Sequence, residues 1–176
     1  NHILHIYSET INFNSSETRS DCFTRRSAEN GHLEAHWCMS EHLDELKKLG
    51  YKIAEQKKIF ITNVGGFKGP KSRFNQKTEI SHANSIFEFD DNPLASSNEA
   101  FSKGNYLINL NIPSNALLIL DHDMKNILWH ADQSNLTLNG QSIGMITHDN
   151  QLMPDGRILS YVNSTWPAEQ GNNTQS

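Results

Sequence analysis

Three strand-like segments stand so close together that no helix fits between them, and this constrains the fold more than any other feature. They are Asn105 to Ile112, Ala116 to Asp121 and Lys125 to His130. Pro113-Ser114-Asn115 makes the first turn, and Asp123-Met124 lies near the second. Parallel neighbours need a crossover of roughly a dozen residues, usually a helix. Links this short join antiparallel strands. The longest purely apolar run, Ala116-Leu117-Leu118-Ile119-Leu120, is five residues, against the ~20 that a membrane-spanning helix needs.

The rest of the chain reads in the same terms. Residues 2–7 alternate as a strand, residues 8–21 are polar and read as a loop, and Cys22 to Arg26 is a short edge strand or a turn. Ser40 is the expected N-cap of a helix whose apolar face is Leu43, Leu46 and Leu49. Glu41, Asp44 and Glu45 lie early in it, Lys47 and Lys48 late, and Gly50 follows as the natural C′ residue. Lys58 to Val64 reads as a strand closed by Gly65-Gly66, followed by a basic loop. Ile80 to Phe89 is a strand, and Ser96 or Ser97 caps a short helix that Gly104 closes. Gln141 to Thr147 and Arg157 to Val162 are weaker strands around the Pro154-Asp155-Gly156 turn. The expectation is an α+β domain over residues 1–169, with a mostly antiparallel, split or sandwiched sheet and a few short helices. Residues 170–176 form a polar tail.

Charge and composition exclude further classes. The net charge of −5 argues against a dominant nucleic-acid binder. Asn and Ser number 20 and 18 of 176 residues, enough to produce the sequons at Asn14, Asn135, Asn163 and Asn172 without implying glycosylation. Cys22 and Cys38 are too few for a thiolate zinc cage. They are two free thiols, the plainer reading, or one disulfide. Opening directly on His2-Ile3-Leu4-His5-Ile6-Tyr7 without Met suggests a domain cut from a longer chain.

Several local patterns carry chemistry. His32, Glu34, His36, Cys38 and His42 are metal-ligand types at close spacing. Nevertheless, they form neither HExxH nor the deaminase signature, and packing and solvated polar residues are the plainer account. No GxSxG or Walker motif is present. Around Gly65-Gly66-Phe67-Lys68-Gly69-Pro70, glycine amides with Lys68, Lys71 or Arg73 suit phosphate groups. Glu169 follows Trp166-Pro167, so its segment is a candidate for docking on the body and holding a carboxylate in a cleft.

A resemblance extends these readings. Ile3-Leu4-His5-Ile6-Tyr7-Ser8, Cys22-Phe23-Thr24-Arg25-Arg26-Ser27, the stretch from Leu43 to Ile61, Lys71-Ser72-Arg73-Phe74, His82 to Phe89, and Gly104 to Pro113 occur in this order. Together they resemble the ADP-ribosyltransferase superfamily, most of all its divergent toxin and type III effector branch with the arginine ADP-riboxanases of Shigella. The Ser-Thr-Ser motif is missing, Glu169 lacks a Glu-x-Glu or Gln-x-Glu context, and Asn75 stands where the effectors have Gly. The resemblance implies an ADP-ribosyltransferase-like fold and transfer of ADP-ribose from NAD to a protein target. It implies Glu169 and His5 as catalytic residues. It also implies His5, Tyr7, Arg25, Arg26, Arg73, Ser81 and Ser85 as the NAD-binding set, with no metal. Bond cleavage would pass through an oxocarbenium-like state that a carboxylate stabilises. Such a domain is expected to be a monomer, secreted from a bacterium and acting in the target-cell cytoplasm. Two other readings stand beside it: a non-enzymatic β-rich module that binds a protein or glycan, and a metal-dependent hydrolase using His32, Glu34, His36 or His42.

Overall fold

The computed structural model describes residues 1–53, 56–57, 78–111, 116–132, 137–138, 141–142 and 144–166. The expected strand at Lys58 to Val64, the basic loop and the tail lie outside the described residues.

The chain begins with a long hairpin. β1 (His2–Phe13) and β2 (Ser16–Ser27) pair antiparallel over twelve residue pairs without a register shift. Residues 8–21, expected as a loop, are therefore strand. Only Asn14 and Ser15 turn, with φ of 48° and 67°. Two successive positive φ values define the type I′ geometry, whose twist matches the strands on either side. Polar side chains do here what apolar alternation does elsewhere. The Ser8 hydroxyl donates to Asp21 at 2.6 Å, Arg19 donates to Ser8 at 2.6 Å, and Thr18 meets Thr78 at 2.8 Å.

β2 is central, not an edge. Its far side is shared by β3 (Leu33–Cys38), antiparallel, and by the short β5 (Thr78–Glu79), parallel, which in turn pairs with β4 (Gln56–Lys57). Cys22 and Cys38 are register partners and form a disulfide, with Cα atoms 4.1 Å apart. This corrects the free-thiol reading. A two-residue turn closes on a hydrogen-bonded pair, Phe13 with Ser16, so Tyr7 and Cys22 are also a hydrogen-bonded pair. Cys22 then meets Cys38 across the closer, non-hydrogen-bonded kind of site.

The helix is shorter than expected. A 3-10 turn (Met39–Glu41) leads into α1 (Leu43–Lys48). Ser40 does not cap it, because its hydroxyl is donated to Glu9. The C-terminus behaves as expected. Gly50, at φ +95°, donates to Lys47, and Tyr51 donates to Leu46, the paired closure of a Schellman motif.

The second sheet is an antiparallel meander: β6 (Ala83–Glu88), β7 (Tyr106–Leu110), β8 (Ala116–Leu120) and β9 (Ile127–Asp132). Between β6 and β7 lie two 3-10 turns, Pro93–Ser96 and Glu99–Phe101, capped by Asn92 and Asn98 in place of Ser96 or Ser97. Every residue of β7 and β8 is buried. On one face, Tyr106, Ile108, Leu110, Leu118 and Leu120 join Phe23, Trp37, Met39 and Leu46 of the first sheet and its helix. On the other, Leu107, Leu117 and Ile119 pack with Phe89 and Phe101, and with Leu152 and Ile158. Those last two belong to the hairpin of β12 (Gly144–Leu152) and β13 (Ile158–Trp166), which turns at Pro154-Asp155-Gly156. β10 (Thr137–Leu138) and β11 (Gln141–Ser142) form a small separate pair. The fold is thus a β-rich, mostly antiparallel layered structure with very few helices. No helix among the described residues is long and apolar enough to cross a membrane.

Buried polar side chains tie the layers together. Asp21 accepts from the Ala83 amide at 2.8 Å, and its own amide donates to the Ser81 hydroxyl at 2.6 Å. Asn109 accepts from the amides of Asn84 and Ser85 at 2.9 and 2.8 Å and donates to the Thr147 carbonyl at 2.7 Å. The β6–β7 ladder shifts register between Ala83 and Ile86, and the Asn109 carboxamide takes the amides released there.

Candidate functional site

The alternation read in residues 2–7 sends Leu4 and Ile6 inward, where they pack on the core. It leaves Ile3, His5 and Tyr7 on the outer face. Cross-strand partners project to the same face, so the outer face of β1, β2 and β3 consists of three rungs. Ile3, Arg26 and Leu33 form the first, His5, Thr24 and His36 the second, and Tyr7, Cys22 and Cys38 the third. Leu33 reaches its rung because the β2–β3 ladder bulges between Arg25 and Arg26.

Where this face meets water it is mixed, with Ile3, Leu33 and Tyr7 beside His5, Arg26 and His36. Ile3 is 57% exposed, Leu33 40% and Tyr7 37%. The His5 and Tyr7 rings lie near-parallel with centroids 6.1 Å apart, and the Tyr7 hydroxyl is 3.8 Å from the Cys38 sulfur. Arg26 donates to the Gly31 carbonyl at 3.0 Å, and His36 lies 3.4 Å from Glu41.

Arg25 projects to the opposite face. It is buried and donates to the Tyr106 hydroxyl at 2.8 Å, the His122 carbonyl at 3.0 Å and Glu34 at 3.1 Å. Burial works against its charge, but the hydrogen bond to Tyr106 and the attraction of Glu34 more than offset it, so its pKa sits above the ordinary value. Burial likewise raises the Tyr106 pKa, and Arg25 restrains that rise. This guanidinium supports the platform from beneath.

Of the residues expected to bind NAD, the structure brings His5, Tyr7 and Arg26 onto one face. Ser81 and Ser85 are buried elsewhere. Ser81 accepts from Asp21, and Ser85 donates to Asn109 at 3.2 Å and accepts from Asn150 at 2.9 Å. Arg73 and Glu169 lie outside the described residues. The metal-ligand cluster does not converge. Glu34 pairs with Arg25, while His42 stacks on Trp37 at 4.8 Å and meets Glu45 at 2.8 Å. Among the described residues, the ligand-type triads are Glu9-Cys22-Cys38 and His36-Cys38-Glu41. Each uses a sulfur that the disulfide already holds.

Sequence reasoning found the β1 half of the platform from its alternation. It missed Leu33, because a bulge that shifts facing leaves no periodic trace. Fold and site define a layered antiparallel β protein with an exposed three-strand platform. No family model matches the chain, and neither a curated protein nor a solved structure is similar to it.

Proposed function

We propose that this chain is a non-enzymatic binding module that recognises a partner protein through the outer face of β1, β2 and β3. The observation that carries this reading is the first rung: two large aliphatic side chains, Ile3 and Leu33, stand exposed on either side of Arg26. Exposed aliphatic side chains flanking an arginine match the mixed composition of protein interfaces. Aromatic and arginine residues add the groups that dominate interface energetics, and Tyr7 and Arg26 supply both. The disulfide beneath Tyr7 and the Arg25 network hold the strands in place, which lowers the ordering cost of binding. Aliphatic side chains favour a protein surface over a glycan, with a carboxylate on the partner to meet Arg26. The test is partner isolation with the wild-type chain and with I3D and L33D. A protein whose affinity falls at least about tenfold with either variant, ~1.4 kcal/mol, supports the reading. Undiminished binding by both folded variants refutes it.

One observation favours a second reading, ADP-ribosyl transfer from NAD to a protein by a secreted toxin or effector domain. His5 and Tyr7 are neighbours on an exposed strand face, as the resemblance requires of residues that contact NAD. In that reading Arg26 and Arg73 meet the diphosphate and Glu169 stabilises the oxocarbenium-like state. A thermal shift with NAD tests it, because a ligand specific for the folded state raises apparent stability as its concentration passes Kd. No shift, or NAD turnover unchanged in Glu169→Ala, removes this reading.

A further inference from the structure

β1 is an edge strand. Among the described residues it pairs with β2 alone; it runs twelve residues without a bulge and contains neither Pro nor Lys. These are the devices by which proteins usually blunt such edges. Because the Asn14-Ser15 turn closes on the hydrogen-bonded pair Phe13–Ser16, the amides and carbonyls of odd-numbered β1 residues face β2. Those of the even-numbered residues, from Leu4 to Thr10, face outward. The Asn1 carbonyl accepts from Ala28, and His2 reaches Glu88 at 2.6 Å through its side chain, so the strand's first residues are anchored, while its middle has no strand partner on this side among the described residues.

We propose that this edge pairs antiparallel with β1 of a second copy of the chain, about a two-fold axis at Tyr7. The sequence of the strand is self-complementary around that residue. Outward-facing residues must form the hydrogen-bonded pairs, which sets Leu4 against Thr10 and Ile6 against Ser8 of the second copy. The odd-numbered face then pairs His5 with Glu9 and Tyr7 with its own counterpart, and at its end sets Ile3 against Ile11, a side chain partly packed on its own core. These fall at the non-hydrogen-bonded sites, where side chains come closest. Moving the axis by one residue, to Ile6 or Ser8, keeps the faces aligned but loses the His5–Glu9 match and the Tyr7 pair. Charge complementarity therefore selects both the occupant and the register. Glu9 is available for it, since Ser40 donates to Oε1 only. The interface is isologous, so each dimer contains two His5–Glu9 pairs. This departs from the monomer expected from the sequence and does not rest on recognition of another protein.

Sedimentation equilibrium of the full chain tests the proposal, with far-UV circular dichroism to verify folding. The wild type is expected at twice 19.9 kDa, dissociating on dilution. T10P removes an outward amide and leaves the β2 ladder intact, so it is expected to abolish the dimer. H5E sets like charges opposite one another twice per dimer and should raise Kd by about tenfold or more. The H5E/E9K double variant restores opposite charges and should recover most of the loss. A wild type that stays monomeric at its highest soluble concentration overturns the proposal and leaves the edge to a strand of another protein. A dimer indifferent to T10P and H5E overturns it as well, as does a folded double variant no tighter than H5E.

Discussion

Replacing Asn109 by alanine should be among the costliest polar truncations at the described residues. The side chain is 1% exposed and ties its own strand, β7, to two others. Its Oδ1 accepts from the amides of Asn84 and Ser85 on β6, and its Nδ2 donates to the Thr147 carbonyl on β12. The Ser85 hydroxyl and the Thr147 carbonyl keep other partners, Asn150 and Asn111. The two amides do not, because the β6–β7 ladder is broken where they sit. Each orphaned buried group costs about 1–3 kcal/mol, so N109A should lose about 4 kcal/mol of a total on the order of 5–15 kcal/mol. At ~2–4 °C per kcal/mol for a chain of this size, the Tm falls by roughly 8–16 °C. Urea unfolding and calorimetry measure it. Asn30→Ala is the control. Its carboxamide accepts one bond, from the His32 amide in an exposed turn, so its loss should stay under about 1 kcal/mol. A loss below about 1 kcal/mol for N109A would show that the carboxamide does not carry the broken ladder.

Asp21→Ala orphans the Ala83 amide, while the exposed Ser8 hydroxyl keeps Arg19 and water, and should lower urea stability by about 1–3 kcal/mol. Cys22→Ala with Cys38→Ala opens a link across 16 residues of chain, and should cost about 3 kcal/mol in the chain-entropy account; unchanged thermal unfolding would contradict it. Burial, with Asp132 nearby, pushes the Tyr51 phenol from 10.0 up to about 12. Its folded pKa lies above the unfolded value, so its contribution is complete below pH 10 and lost as pH rises from 10 towards 12. Alkaline denaturation should therefore move to higher pH in Tyr51→Phe, and absorbance titration should find tyrosine ionising late, with part of that late fraction lost in the variant.

The second sheet was the most legible part of the sequence, because β8 is apolar throughout, β7 is apolar but for Asn109, and their turns carry Pro, Ser and Asn. The first hairpin was hidden. Its far half is held by Ser8, Thr18, Arg19 and Asp21, whose mutual hydrogen bonds look in sequence like a solvated loop. The Ser40 cap was a sound local expectation that a distant carboxylate, Glu9, overrode. On the platform, alternation revealed Ile3, His5 and Tyr7, while Leu33 and the disulfide depended on a register that only the folded sheet sets. Ser81 and Ser85 show the reverse case. Their hydroxyls serve packing between layers, a use that spacing alone does not separate from ligand binding.

The arrangement of the two meanders also bears on how the chain reaches its native state. β1 to β3 and β6 to β9 each pair with sequence neighbours, so each meander closes through links of at most 17 residues, at small entropic cost. Contacts between them, such as Asp21 with Ala83 and Arg25 with Tyr106, span 62 and 81 residues. Local contacts speed folding and distant ones slow it. The meanders are thus expected to form early as separate units, with docking through the buried polar bonds as the slow step. Substitutions at Asp21 or Arg25 would then act on the docking step itself, while those in the outer rungs of the first hairpin, formed before it, would leave the unfolding rate nearly unchanged.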